Sequence, residues 1–489
     1  MKVSRLMSTQ HPDNVFIPFF AKNTVMDGED EVKEAFYAFS HLGVDEQLWD
    51  AEGKEVDNFV VKKLLSRYPR YFREKVLGKD KIITFRIPNP DVEKNEGKIL
   101  LETLNSIPRN YDIGKAFYEE DIPPIFEVMI PMCFSEKNLI RVNEYYKNFI
   151  VKNQEKSIYA GDITVKEWIG KFKPDEIRVT PLFETKETIT NAASYVKKYI
   201  EYEKIKDYQR VWFARSDPAL NYGSVTAVLM ARIGLQGLHE LQEKSSIDIL
   251  PIFGCGSAPF RGNFKPTNTK KMVTGYPSVQ TFTIQSAFKY DYPVEEVIKG
   301  VDQVKDIKRK APIPVDVKET MKIIEIMEKD YIECIKLLAE TINLVSHYIP
   351  SRRKRKLHID LFGYARKSGN IKLPRAIKFC ASLYSLGLPP EILGLSNLKP
   401  QHLDKISLFY DIIDQDLKDA LQYYNKDNLS YFPKEIQNRV KKSLKLIEFE
   451  TDEEHKKITS EVLTCLKRKD EPGVQESIVN AARIRQFLG

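Results

Sequence analysis

Short β-rich runs that end on polar residues or glycine recur along the chain, each followed by a helical stretch. The runs are Lys81–Arg86 (KIITFR), Ile125–Met132 (IFEVMIPM), Glu176–Leu182 (EIRVTPL), Arg210–Ala214 (RVWFA) and Asp248–Phe253 (DILPIF). Thr281–Gln285 (TFTIQ) and Leu357–Phe362 (LHIDLF) are weaker members. Helical patterns such as Glu136–Lys147 and Thr188–Lys204 lie between them. Strands alternating with helices predict an α/β fold with parallel strands, and near-continuous apolar runs suit strands covered on both faces. Seven or eight such units fit a (β/α)8 TIM-type barrel. The expected layout is an N-terminal extension over 1–80, a barrel core over 81–390 and a helix-rich C-terminal region over 391–489, in one catalytic domain. A doubly wound open sheet competes, but no GxGxxG follows an early strand. In the C-terminal region Ile406, Phe409, Tyr410 and Ile413 recur at helical spacing, which reads as packing over the barrel or at an oligomer interface.

The chain has 489 residues, 42% of them hydrophobic, so a large core is available. A formal charge of +7, from 76 basic and 69 acidic residues, is too small to imply a nucleic-acid partner by itself. Five widely spaced cysteines without a CxxC pair predict neither a disulfide framework nor a zinc site. The start, MKVSRLMSTQHPDN, has no apolar core of a signal peptide, and no stretch approaches the ~18 apolar residues of a membrane span. The expectation is a cytoplasmic protein.

Chemistry-bearing residues fall where strands end. Arg86 closes one run, Glu184 (in VTPLFET) and Asp217 (in FARSDPALNYG) follow two others, and a glycine-rich loop to Arg261 follows a fourth. In a barrel these positions share the C-terminal rim, where active sites sit. Two carboxylates from adjacent strand ends suit Mg2+, which leaves sites for water and substrate oxygens. Helix capping is the alternative for both. The loop FGCGSAPFRG, with Gly254, Gly256 and Ser257, would let backbone N–H groups approach an anion, or is an ordinary turn. His11, in STQHPDN, is exposed and inert unless its segment folds back over the rim. The run SRRKRK (Ser351–Lys356) reads as a solvated face or a nucleic-acid patch, though it lacks interleaved aromatics. Beyond it, Arg366 and Arg375 are placed to grip a phosphate or carboxylate, which the planar guanidinium fork matches.

Taken in order, STQHPDN, GVDEQLWDAEG, ITFRIPNP, FEVMIPM, PLFET, RSDPALNYG, GCGSAPFRG, YPSVQTFTIQSAFKYD and LHIDLFGYARKSGN resemble the phosphoenolpyruvate carboxylases, specifically their short archaeal-type branch. The resemblance implies a barrel, usually a homotetramer, that converts phosphoenolpyruvate and bicarbonate to oxaloacetate and phosphate with Mg2+ or Mn2+. It implies Glu184 and Asp217 as metal ligands and Arg86, Arg261, Arg366 and Arg375 as anion-holding arginines. It gives His11 a proton-handling role. The long-form enzymes carry His-Gly-Arg where this loop reads Gly254-Cys255-Gly256, and a lysine where this chain has Leu220. Backbone N–H groups of the loop and Asn221 are the expected partial substitutes. The ending NAARIRQFLG also lacks the Arg-Asn-Thr-Gly of the long forms, so aspartate feedback does not carry over. Two other readings remain: a metal-dependent aldolase-type barrel acting on pyruvate or phosphoenolpyruvate, and an RNA-binding protein using SRRKRK.

Overall fold

Eight parallel strands close into a barrel in simple sequence order: β1 Leu6–Ser8, β2 Glu46–Asp50, β3 Ile82–Arg86, β4 Glu127–Ile130, β5 Arg178–Phe183, β6 Tyr208–Ala214, β7 Asp248–Gly254 and β8 Thr281–Ile284. The seam is made by β1 against β8, with Leu6 opposite Phe282 and Ser8 opposite Ile284. This computed structural model describes residues 3–51, 57–94, 97–354 and 371–489, with the backbone of 366–368. The strand expected over Leu357–Phe362 lies outside the described residues.

The barrel is the expected fold, but it starts well before residue 81. Its first two strands lie inside the segment read as an extension. β1 is three residues long, too short to show a period, and β2 (EQLWD) begins and ends on an acid, which hides its apolar character. The last strand ends at Ile284. The helices Val294–Asp306 and Val317–Ser346 follow it, so the described residues between 285 and 390 add no strand to the barrel wall.

Side chains alternate across a strand with period two, so every second residue enters the barrel. Three layers result. The lowest is polar: Glu46 of β2, Thr84 of β3, Glu127 of β4, Thr180 of β5 and Arg210 of β6 converge there. Two residues further along the same strands come Leu48, Met129, Leu182 and Trp212, a buried apolar layer completed by Met7 and Ile252. Two further still come Asp50 and Glu184, level with Arg86, and these open into a cavity at the rim.

The polar layer is tightly bonded. Arg210 Nη1 lies 2.7 Å from Glu46 Oε1 and 3.1 Å from Glu127 Oε1, and Nη2 lies 2.9 Å from Glu46 Oε2. Burial, reinforced by the Glu46 charge against the pull of Arg210, raises the Glu127 carboxyl above its usual range. One cation therefore serves two buried carboxyls. Arg210→Met should lower stability by about 3–5 kcal/mol, because it strands both acids in a dry interior. A urea unfolding midpoint that does not move would contradict this.

Outside the barrel, the helix Ser224–Ser245 approaches closely at Gly234. A Cβ there would fall 2.8 Å from both Ile189 O and the Phe213 ring. The last residues fold back to the segment that follows β1. Phe487 stacks edge-on against Tyr384 with centroids 5.1 Å apart, and Leu488 N–H reaches Asp13 O at 3.3 Å. No helix among the described residues is long and apolar enough to cross a membrane.

Candidate active site

A cavity of about 490 Å3 opens at the C-terminal ends of the strands. Strand ends supply Asp50, Arg86, Glu184, Asp217 and Gly254, and the segment after β1 supplies Gln10 and His11. Arg375, which precedes the helix Ala376–Ser385, and Lys378 in its first turn also line the cavity. Expected residues from both ends of the sequence therefore meet in one space. The Arg366 side chain lies outside the described residues.

Neither carboxylate is a helix cap. Thr185 caps the helix Lys186–Thr190, its side chain accepting from Thr188 N–H. The helix Ser216–Tyr222 begins with no side-chain cap, and Asp217 sits in its first turn. Glu184 is buried, and its Oε2 accepts from Met132 N–H at 2.7 Å, which fixes the carboxylate plane. Among the described residues no three His, Cys, Asp or Glu side chains converge as an all-protein metal cage. Two carboxylates beside an open polar space suit Mg2+, which keeps several waters and takes substrate oxygens. The donor set thus fits that cation.

Asp50 links the floor to the wall. Its N–H donates to Gln10 Oε1 at 2.8 Å and its carboxylate lies 3.6 Å from Arg86 Nη1. Strand alternation in EQLWD would have placed Asp50 at the rim, had the strand been recognised.

The glycine loop differs from the anion nest expected of it. Cys255 N–H donates to Thr283 Oγ1 at 2.9 Å and Gly256 N–H to Arg261 O at 2.8 Å, so both groups are used within the protein. The glycines make room for side chains. A Cβ on Gly254 would fall 2.7 Å from Trp212 Nε1, and one on Gly256 would fall 2.8 Å from Gln285 Oε1 and 3.0 Å from Arg261 Cζ. Gly254 lines the cavity; among the described residues Gly256, Ser257 and Asn221 are not part of its lining. Arg261 is buried and heavily bonded, with Nε to Ser216 Oγ (3.2 Å), Nη1 to Asp13 Oδ2 (3.4 Å) and Gly489 O (2.6 Å), and Nη2 to Gln285 Oε1. It braces the loop, the first segment and the last residues together.

His11 is held at its ring and at its backbone. Thr9 Oγ1 lies 2.8 Å from His11 Nδ1 and donates to Ile284 O at 3.1 Å. A hydroxyl has one proton, so with that proton on Ile284 O it accepts from Nδ1–H and leaves the lone pair on Nε2. Lys289 Nζ donates to Thr9 O at 2.7 Å, and Arg353 Nε to His11 O at 3.0 Å. Both cations converge on Glu34 of the helix Gly28–Ser40, at 2.6 and 2.7 Å. Burial opposes ionisation of Glu34, but the Arg353 and Lys289 charges override it and hold the carboxyl down at about 2.

This changes the meaning of SRRKRK. Arg352 and Arg353 are buried, not solvated: Arg352 holds Asn14 O and Val15 O, while Arg353 also pairs with Glu31 at 2.9 Å. These two arginines clamp the segment that carries His11, and Arg355 and Lys356 lie outside the described residues. Burial of this kind depends on partners over 300 positions away, such as Glu31 for Arg353, so the local charge pattern could not reveal it.

Residues 3–489 match the family described as phosphoenolpyruvate carboxylase. Proteins of that name from Methanothermobacter thermautotrophicus and Pyrococcus horikoshii are 48% and 49% identical to this chain, each alignment covering 100% of both chains. That of Pyrococcus furiosus is 52% identical over 86% of this chain and 89% of its own length. With barrel, rim carboxylates and sequence in agreement, the chain belongs to the phosphoenolpyruvate carboxylase family.

Proposed function

We propose that this site carboxylates phosphoenolpyruvate with bicarbonate, giving oxaloacetate and phosphate, as a carbon–carbon lyase. The observation that carries the reading is the convergence of Glu184, Asp217, Arg86, Arg375 and His11 on one cavity. Mg2+ or Mn2+ held by Glu184 and Asp217 would supply Lewis-acid stabilisation of negative charge on oxygen.

The chain's own residues do the rest. Arginines hold the polyanionic substrate and align it, so that a bicarbonate oxygen attacks phosphorus as the bond from phosphorus to the enol oxygen breaks. Carboxyphosphate and the enolate of pyruvate result. His11 Nε2 takes the carboxyl proton of carboxyphosphate, which then separates into CO2 and phosphate. The enolate carbon attacks CO2 to form the new C–C bond. Water must be kept from the enolate, or it is protonated to pyruvate. Arg375 and Lys378 form part of the wall that encloses the substrate space. A cytoplasmic homotetramer, implied by the family resemblance, completes the proposal.

The test is a coupled oxaloacetate assay with and without bicarbonate and Mg2+. Oxaloacetate should form only when phosphoenolpyruvate, bicarbonate and the cation are all present. Phosphate release that ignores bicarbonate and leaves pyruvate as the sole product would sink the proposal.

A further inference from the structure

Arg215 follows β6 and carries no signal of its own in the sequence. It is 2% exposed and lines the cavity. Its Nη2 donates to Ser224 Oγ at 2.9 Å, while Nε and Nη1 have no partner among the described residues. Buried guanidiniums are normally neutralised, because an isolated charge in a dry interior is strongly unfavourable. Arg210 has Glu46 and Glu127, and Arg353 has Glu31 and Glu34. Arg232 is also buried with nitrogens lacking partners, but its guanidinium lies 4.5 Å over the Tyr276 ring and it does not line the cavity. Arg215 alone among these combines unpartnered buried donors, no ion pair and a place in the cavity wall.

Its nearby acidic groups are bonded elsewhere. Burial pushes the Cys255 thiol up to about 12, so it stays a neutral S–H. Glu391 accepts from Tyr384 and Asp416 from Asn263 and Tyr410, and burial raises both carboxyls. Of the other arginines of the wall, Arg261 is bonded as described, Arg353 is paired with Glu31 and Glu34, and Arg86 faces Asp50. The far end of the glycine loop packs against the Arg215 stem. A Cβ on Gly262 would lie 3.4 Å from Arg215 Cγ.

We propose that Arg215, at the end of β6, binds the phosphoryl group of the substrate. The phosphoryl end carries the most negative charge and the most acceptor oxygens of phosphoenolpyruvate, so it best compensates a buried cation with two unpartnered nitrogens. The inference rests on phosphoenolpyruvate being the substrate.

The test compares wild type with Arg215→Met and Arg215→Lys. Titration calorimetry uses inorganic phosphate and, separately, pyruvate, which lacks the phosphoryl group; bicarbonate is omitted. Arg215→Met should weaken phosphate binding and raise the KM for phosphoenolpyruvate by about 100-fold, the loss expected for one or two charge-assisted hydrogen bonds. Pyruvate binding should change by less than about threefold, and lysine should recover about tenfold of the phosphate affinity as a point charge. Without ligand the methionine variant should melt at or above the wild-type temperature, since an uncompensated buried charge has been removed. A purely structural arginine would instead lower that temperature. Unchanged phosphate affinity in the methionine variant overturns the proposal, as does an equal loss for pyruvate, which would assign Arg215 to the carboxylate end. Wild type that makes no oxaloacetate, yet loses phosphate affinity on Arg215→Met, supports the phosphoryl site and refutes only the reaction.

Discussion

Replacing Glu184 by glutamine, or Asp217 by asparagine, should lower turnover by about 1,000-fold or more while leaving the fold intact. The two changes preserve shape and remove one negative charge each. Glutamine can still accept from Met132 N–H, and Thr185 rather than Glu184 caps the following helix, so neither local structure depends on the charge. What is lost is the attraction for a hard divalent cation. Lewis-acid stabilisation is worth several kcal/mol, and each ~1.4 kcal/mol is a factor of ten in rate. The measurement is oxaloacetate formation against Mg2+ concentration, with Mn2+ binding followed by calorimetry and the fold by circular dichroism. Wild-type turnover or Mn2+ affinity in either variant would remove that carboxylate from the metal site.

His11→Asn should uncouple the two halves of the reaction. Phosphate release should stay bicarbonate-dependent, while oxaloacetate formation falls by about 100- to 10,000-fold, the range for loss of a positioned base. Pyruvate should accumulate in its place as the stranded enolate is protonated. Asparagine keeps a polar group beside Thr9 but cannot take up a proton. Thr9→Val should reproduce a weaker form of the same split, because valine keeps the shape and removes the acceptor that the hydroxyl offers to Nδ1. Thr9→Ser should restore coupling. Equal yields of phosphate and oxaloacetate from the asparagine variant would leave His11 without a role.

How much of this is legible in the sequence follows from how local each signal is. β5, β6 and β7 announce themselves because apolar runs such as DILPIF are read within the run itself. Their ends place Glu184, Asp217 and Gly254 at the rim by position along the chain alone. β1 and β2 escape for physical reasons: three residues carry no period, and the inward face of EQLWD holds Glu46, whose partner Arg210 lies across the barrel, and Asp50, whose partner Arg86 lies on the neighbouring strand. The same holds for Arg353, whose burial is decided by Glu31 and Glu34. The glycine loop misleads because small residues admit side chains as readily as anions, and here they admit Trp212 and Arg261. Arg215 has no local signal: its distinction is the absence of a counter-charge, which only three-dimensional neighbours can define.

The seam between β1 and β8 has a consequence for synthesis. Leu6 must wait for Phe282, 276 positions later by simple subtraction, before the barrel can close. At roughly 5–20 residues per second on the ribosome, the first strand emerges on the order of 14–55 s before its partner exists. During that time its unpaired edge is open to pairing with other chains. Thr9 and His11 follow directly from that strand, and their contacts to Ile284 and Lys289 form only at closure. The segment that carries His11 therefore finds its place only once β8 exists, and Arg353, Arg375 and Lys378, further along the chain, join the cavity later still.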